Sequence, residues 1–409
     1  MRYALRSILR APWFSATAVA LLGAGIGANV LIFTAVDALL LRPLAVRAPE
    51  RLVRLGVERS AAHTMYEHAA VYARVIRERT AAFSEVFTTE PLEGAAVVEG
   101  RAVNARAEMV SAGYFRDLGV TAELGSVAAA EDAPVAVVSH RAWLRWFGGR
   151  GDVVGRGIRL RGAALTLVGV VREGFDGLDL DNRTDLWVTP AVYLQWIGKP
   201  ADVRSMPANI YMRVREGVPV ERAEAEIRAA YPAMVAAEYE GQRDMGADVV
   251  KQEQLLRPVL AEAGLGVSTL RKQFTGAVKA LMGGVAALFL LVCGNVSGLM
   301  LARADAHRRD ALIRLSLGAS RWGVARRALA EAGALASAGG VLGFAIARWC
   351  GPWLLGFLPA RRPLGIELRP DGRVLGFAIG AAALAAVLSS VLPALSLYRA
   401  DVAALLGRQ

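Results

Sequence analysis

Several groups of residues are of the types that catalysis, metal binding or nucleotide binding require. His63, Glu67 and His68 carry three potential metal donors. Their spacing fits neither HExxH nor HxxEH, and the remaining histidines, His140 and His307, supply no evident third ligand. They read as solvated polar residues on a helix. Ser139 and His140 are adjacent, but no GxSxG surrounds them and no acidic third partner is evident. Ser139 reads more simply as the N-cap of a helix over His140–Phe147. Asp176, Asp179, Asp181 and Asp185 have calcium-binding oxygens without EF-hand spacing and read as a solvated loop. Gly23-Ala-Gly25-Ile-Gly27-Ala28 spells a dinucleotide fingerprint by letter, yet it lies in an apolar run and not in a strand–turn–helix unit. Gly23 and Gly27 read instead as a helix-packing face. GxxxxGK[ST] is absent, and the one Gly-Lys pair, Gly198-Lys199, runs into a proline. The expectation is a chain with no catalytic, metal-binding or cofactor-binding residues of its own, hence not an enzyme; any ATP that drives it is bound by a partner subunit.

The elements that carry these residues follow from the apolar pattern. The hydrophobic fraction is 55% and mean hydropathy is +0.37, values that suit several membrane spans plus one soluble domain. Apolar runs at 13–41, 276–302, 329–357 and 374–397 are long enough to span a bilayer. The first follows Arg2, Arg6 and Arg10. It exceeds the usual apolar core of a signal peptide and lacks a small-x-small cleavage site, so it reads as an uncleaved span. Asp37, near its outer end, reads as interfacial. The third and fourth spans are rich in small residues, with Gly339 and Gly343 placed to let helices approach closely. Between the first two spans, 42–275 mixes strand and helix patterns and predicts an α+β domain, with two subdomains. Strands are predicted at Arg51–Val57, Val135–Ser139 and Tyr211–Val214, and a hairpin at Gly157–Val171 around Gly162. Helices are predicted at Tyr66–Ala82, His140–Phe147 and Val220–Ala233, and 238–265 reads as a loop or loose helix. The predicted fold is a four-helix transmembrane bundle with an α+β extracytoplasmic domain inserted between the first and second spans. Its parts are 1–41, 42–275, 276–302, a cytoplasmic loop 303–328, and 329–409.

The net charge of +11 is distributed unevenly. Residues 42–275 sum to zero, which argues against a nucleic-acid-binding face. The bias lies beside the apolar runs, most of it in 303–327, where seven arginines stand against Asp305 and Asp310. Short basic loops face the cytoplasm. The N-terminus, 303–327 and the C-terminus are therefore placed inside, and the inserted domain and 358–373 outside. Both cysteines, Cys293 and Cys350, fall in apolar runs, so the inserted domain has no disulfide.

The basic loop itself reads as a short amphipathic helix, Arg308–Leu317, stopped at Gly318. A solvated positive-inside loop or a helix on the lipid surface accounts for this pattern. A helix seated in a partner's groove accounts for it equally.

The stretch RRDALIRLSLGASRWGVARRALAE (308–331) resembles the signature of FtsX/MacB-type ABC transporter permeases. RSILRAPWFSATAVALLGAGIGANVLIFTAVDALLLRPL is similar to their first span, especially in acidobacterial-type duplicated permeases. VSAGYFRDLGV (110–120) and VAVVSHRAWLRWFGG…VVGRGIRLRGAALTLVGVV (135–171) resemble the MacB-type periplasmic core. The resemblance covers nearly the whole chain in order. It implies an FtsX-like permease domain over 276–409 and a pair of permeases, formed with a second copy or a paralogue, in the bacterial inner membrane with the large domain in the periplasm. It also implies a cytoplasmic ATPase docked on a coupling helix. In this sequence that helix maps to Arg308, Arg309, Asp310, Ile313, Arg314 and Leu317, with Gly318, Ala319 and Ser320 as its stop; Glu331 matches the acidic residue opening the third span. Asp310 stands where glutamate is usual, the stretch SVAAAEDAP after Gly125 is abbreviated, and the duplicated relatives carry two such units where this chain has one. The implied function is transmission of ATP-driven motion to a periplasmic domain and its partner, for efflux or extraction of a substrate. A membrane-anchored sensor or scaffold without an ATPase is the alternative.

Overall fold

The computed structural model describes residues 12–37, 43–60, 63–128, 132–197, 206–240, 247–306, 321–356 and 372–398. It divides into two compact units, Met1–Arg42 with Leu270–Gln409, and Pro43–Thr269.

The first unit is helical. Long runs of Ala, Leu, Val and Gly with few charges form helices, which satisfy their backbone groups internally as a lipid environment demands. Among the described residues, Pro12–Val36, Val278–Arg303, Leu329–Gly351 and Gly372–Ser390 are long and apolar enough to cross a membrane. The second to fourth belong to helices Thr269–Ala306, Arg321–Gly356 and Gly372–Tyr398. Leu22, Ile26 and Val30 of the first span pack with Val296 of the second, Leu335 of the third and Ala385 of the fourth. Large apolar side chains such as Leu291, Val341 and Ile379 face outward. Such a surface is expensive in water and ordinary in hydrocarbon.

The second unit is built on a twelve-stranded sheet. Its strands are β1 (Leu52–Ser60), β2 (His63–Met65), β3 (Glu67–Ala69), β4 (Phe83–Val98), β5 (Arg101–Val110) and β6 (Ala122–Gly125). They continue with β7 (Val135–Val138), β8 (Gly157–Leu160), β9 (Ala163–Val171), β10 (Leu186–Val188), β11 (Pro207–Val214) and β12 (Arg257–Glu262). The main order is β12-β1-β11-β4-β5-β10-β7-β9-β6. The β5–β10 and β7–β9 pairs are parallel. Arg161 and Gly162 both take positive φ at the β8–β9 turn, the backbone that a two-residue hairpin needs.

The long strand β4 joins two lobes. Side chains alternate across a strand, so Val86 and Leu92 share one face. Val86 enters a core with Leu55, Ile76, Ile210 and Met234, under helices Val71–Arg79 and Val220–Tyr239. Leu92 enters a second core with Ala105, Val138, Ile158 and Leu167. Phe87, on the opposite pleat, belongs to an aromatic core with Tyr114, Phe115, Phe175, Trp187 and Tyr211. Each such side chain buried contributes about 1.5–3 kcal/mol of transfer free energy.

Several expectations for this unit need correction. The helix expected over Tyr66–Ala82 is confined to Val71–Arg79, because Glu67–Ala69 pairs with β11 as a strand. His63, Glu67 and His68 are therefore on strands. His68 is buried and stacks on Tyr72, where burial pushes its imidazole down to about 4. The segment 238–265 is not a loose connection. It holds the helix Ala247–Gln254 and strand β12, whose six paired residues cover the edge of β1. Periodicity missed β12 because half its residues are polar or proline and its pairing is set by a partner two hundred residues away.

Candidate functional site

The first and third spans meet at glycines. Without side chains, two helices can approach until their backbones touch. A Cβ placed on Gly343 would lie 2.8 Å from Gly27 N and 2.9 Å from Gly23 O. One on Gly339 would lie 2.6 Å from Leu22 Cβ, one on Gly27 3.0 Å from Gly343 O, and one on Gly23 2.7 Å from Leu342 Cδ2. Gly23, Gly27, Gly339 and Gly343 thus form one interlocked crossing. Gly25, on another face of the first span, lies against Val292 of the second. Asn29 donates to Gly25 O and to Val285 O, at 2.9 and 3.2 Å, which adds a polar tie between the same two helices.

Among the described residues, two ion pairs stand in the helical unit. Arg303, late in the second span's helix, lies 3.5 Å from Glu331 of the third. Its guanidinium sits 4.6 Å from the ring centroid of Phe14 in the first span. A cation on an aromatic face with a carboxylate beside it is well stabilised away from bulk water. Arg303 and Glu331 bracket the stretch 304–330 in sequence, so their contact closes the neck of the basic loop. Arg308, Arg309, Asp310, Ile313, Arg314, Leu317, Gly318, Ala319 and Ser320 lie outside the described residues. The second pair joins Asp37, at the end of the first span, to Arg373 of the fourth at 3.8 Å. Asp37 is 3% exposed, so at the end of its span it is a buried inter-helix partner. The sequence signal was a lone acid inside an apolar run; what it lacked was the partner.

In the inserted unit, both chain segments that connect to spans are fastened. On the entry side, Arg213 is buried and donates to the carbonyls of Arg47, Ala48 and Asp117. Its Nε lies 2.8 Å from Glu85. Leu44 N–H donates to Gly264 O at 3.0 Å. On the exit side, Asp179 and Val267 form a parallel bridge, with Leu180 N–H donating to Val267 O and Val267 N–H to Leu178 O. Ser268 donates its hydroxyl to Asp181 at 2.6 Å, one residue before the second span's helix begins.

This gives the aspartate cluster its role, which differs from a solvated loop. Asp179 accepts the N–H groups of Asp181 and Asn182 and shapes the turn. Asp176 pairs with Arg183 at 3.0 Å. Asp185 is buried between Arg141 and Arg145, each at 3.0 Å. Ser139 caps the helix His140–Phe147 by accepting from Ala142 N–H, and it lies beside Asp185, whose carbonyl accepts its N–H at 3.0 Å. Beneath the turn, Glu108 is fully enclosed and accepts from Trp187 Nε1 at 3.0 Å and Thr184 Oγ1 at 3.2 Å. Burial pushes its carboxyl up to about 7 against those hydrogen bonds. Among the described residues no cluster of His, Cys, Asp and Glu has the arrangement of a metal site.

The profile of the MacB-like periplasmic core domain matches residues 15–230, and that of the FtsX-like permease C-terminal region matches 282–402. The chain belongs to the FtsX/MacB-type ABC transporter permease family. In this family the inserted unit is the extracytoplasmic domain of a multi-pass membrane protein, and the glycine crossing and ion pairs belong to its permease bundle. Among curated proteins, the pyoverdine export ATP-binding/permease protein PvdT of Pseudomonas syringae pv. tomato is 29% identical over 227 residues, 54% of this chain and 31% of that one. PvdT of Pseudomonas syringae pv. syringae is 28% identical over the same coverage. The match thus spans less than a third of these relatives' length. Among solved structures, the periplasmic region of MacB from Actinobacillus actinomycetemcomitans aligns with a TM-score of 0.36 at 17% identity, over 49% of this chain and 91% of that one. The extracellular domain of the noncanonic ABC-type transporter YknZ from Gram-positive bacteria gives 0.35 at 11%, over 47% and 94%.

Proposed function

We propose that this permease receives ATP-driven motion from a separate cytoplasmic ATPase and delivers it to its extracytoplasmic domain, for efflux or extraction of a substrate. The observation that carries the reading is the Arg303–Glu331 pair on Phe14. A force applied to the loop between Arg303 and Glu331 acts on the second and third spans together, and through Phe14 on the first. The glycine crossing couples the first and third spans a second time, so the bundle responds as one body. Within the inserted unit, Leu44 and Ala48 near its start and Val267 near its end are hydrogen-bonded into the rest of the unit. These ties are where movement of the spans would enter the sheet.

We assign the ATPase contact to residues 308–320 on the sequence pattern alone: its cations and Leu317 are residue types that a partner's groove would accept. The ATPase supplies nucleotide binding and hydrolysis; a second permease, copy or paralogue, completes a pair around its two nucleotide sites. The PvdT relatives are named as joint ATP-binding and permease proteins, which fits a functional unit of the same two parts. A photo-crosslinking amino acid placed at Leu317 in native membranes tests this. Adducts with an ATP-binding-cassette subunit are expected, and Arg309→Glu with Arg314→Glu should remove them. Adducts confined to lipid, or unchanged by the charge reversal, would contradict the assignment and favour a sensor or scaffold.

A further inference from the structure

Where β4 passes from one lobe of the extracytoplasmic domain to the other, the sheet face between the two cores is open. Val86 and Leu92 are the last side chains of the respective cores on this pleat. Thr88 and Glu90 stand between them. At this point β4 stops pairing with β11, since Asn209 opposite Thr89 is the final pair and β11 continues beside β3. The gap is a cavity of about 330 Å³, within the ~300–1,000 Å³ usual for small-ligand sites. Val71, Met109, Val110 and Met206 form apolar walls; Thr88, Thr89, Ser111 and Glu90 are polar points in them, and Arg74 and Arg77 stand in the lining on the helix side.

Glu90 is the unusual member. Its Oε2 is buried and has no hydrogen-bond partner, a state that costs free energy unless something fills it. Among the described residues, no nearby cation pairs with Glu90, although Arg54 Nε is itself buried without a partner. Arg54 donates to Asn209 and lies 4.5 Å over the ring of Tyr66. Arg77 gives two N–H groups to Val86 O, and Arg74 pairs with Glu78 at 4.0 Å. Burial first, then the charges of Glu67 and Glu108, push the Glu90 carboxyl up to about 7, while Arg54 opposes. A cation brought to Glu90 would offset the two neighbouring negative charges and give Oε2 the partner it lacks.

We propose that this cleft binds an amphipathic primary ammonium, with the NH₃⁺ donating to Glu90 Oε2 and the apolar body lying on Met109, Met206 and Val71. Three donors on one small head match a carboxylate flanked by the Thr88 hydroxyl. A wide guanidinium or a quaternary head matches it less well. The site is separate from the ATPase contact, and its test uses neither nucleotide nor partner, so the two readings stand or fall independently.

The test uses the full chain in lipid nanodiscs with methyl-labelled methionine, and 4-phenylbutylamine as the probe. Its alcohol and carboxylate analogues, 4-phenylbutan-1-ol and 4-phenylbutyrate, are controls, as are empty nanodiscs. The amine should shift the Met109 and Met206 methyl signals saturably, and bind about tenfold or more tighter than either analogue. Glu90→Gln keeps the shape and should erase that preference, while Arg74→Gln should not. Equal binding of amine and alcohol, shifts at other methionines only, no saturable binding, or unaltered amine affinity in Glu90→Gln would each overturn the proposal. Should Glu90→Gln fail to fold, the methionine map of the wild-type protein still decides.

Discussion

Replacing Gly343 by alanine tests the glycine crossing, and Gly333 on the same helix supplies the reference. The added methyl at 343 would meet Gly27 N at 2.8 Å and Gly23 O at 2.9 Å, both backbone atoms of the first span that cannot rotate away. At Gly333 a Cβ meets nothing within 4 Å. Relaxed carbon contacts lie at about 3.5–4.0 Å, so the helices must part by roughly 0.5–1 Å, a gap that forfeits a quarter to a half of each facing contact. Overpacking of this kind costs about 1–3 kcal/mol. Both substitutions gain the same ~1 kcal/mol of helix propensity, which cancels in their difference. At about 2–4 °C per kcal/mol for a unit of this size, Gly343→Ala should unfold roughly 2–12 °C below Gly333→Ala. Heating in detergent followed by fluorescence-detected size exclusion reads this directly. Equal stabilities, or a more stable Gly343→Ala, would refute the close crossing.

Three further predictions follow from the ion pairs and buried acids. A double-mutant cycle with Arg303→Gln and Glu331→Gln should give a coupling free energy of about 1 kcal/mol, since the pair is partly enclosed, and thermal unfolding of the four proteins checks it; strict additivity would show that the pair does not tie the two spans together. Asp185→Ala should cost about 3 kcal/mol, because it leaves Arg141 and Arg145 without their shared carboxylate, with denaturant unfolding as the measurement. For Glu108 the folded carboxyl titrates at about 7 and an ordinary one at 4.5. Protonation is thus favoured in the folded state, and its contribution is full below pH 4.5 and lost as pH rises to about 7. His68, held at about 4, acts in the opposite direction: it costs stability as pH falls below 6.5. The readout is therefore the stability of Glu108→Gln minus wild type, which should grow from pH 4.5 to 7 and then level; a flat difference would contradict the assignment.

Much of the bundle was legible because lipid imposes a one-dimensional rule. Long apolar runs bounded by arginines can hardly be anything else, and glycines four apart announce a packing face. The alternation in Gly157–Val171 and the Ser139 cap were equally local. What escaped depended on partners remote in sequence. Glu67–Ala69 looked helical until β11 offered it a ladder, and β12 had no pattern of its own. Asp185 looked like a solvated acid and Asp37 like an interfacial one, because nothing near them in the chain announces Arg145 or Arg373. Arg303 was one arginine among seven until the fold set Phe14 and Glu331 around it.

The central claim is that ATP-driven motion enters through Arg308–Ser320. The most direct measurement is the ATP turnover of the ATPase subunit captured at Leu317, reconstituted in nanodiscs with this permease. Wild-type permease should raise turnover above that of the ATPase alone, and Arg309→Glu with Arg314→Glu should return it to the basal rate while the bundle's unfolding temperature stays unchanged. Turnover that ignores the permease, or that survives the charge reversal intact, would contradict the account.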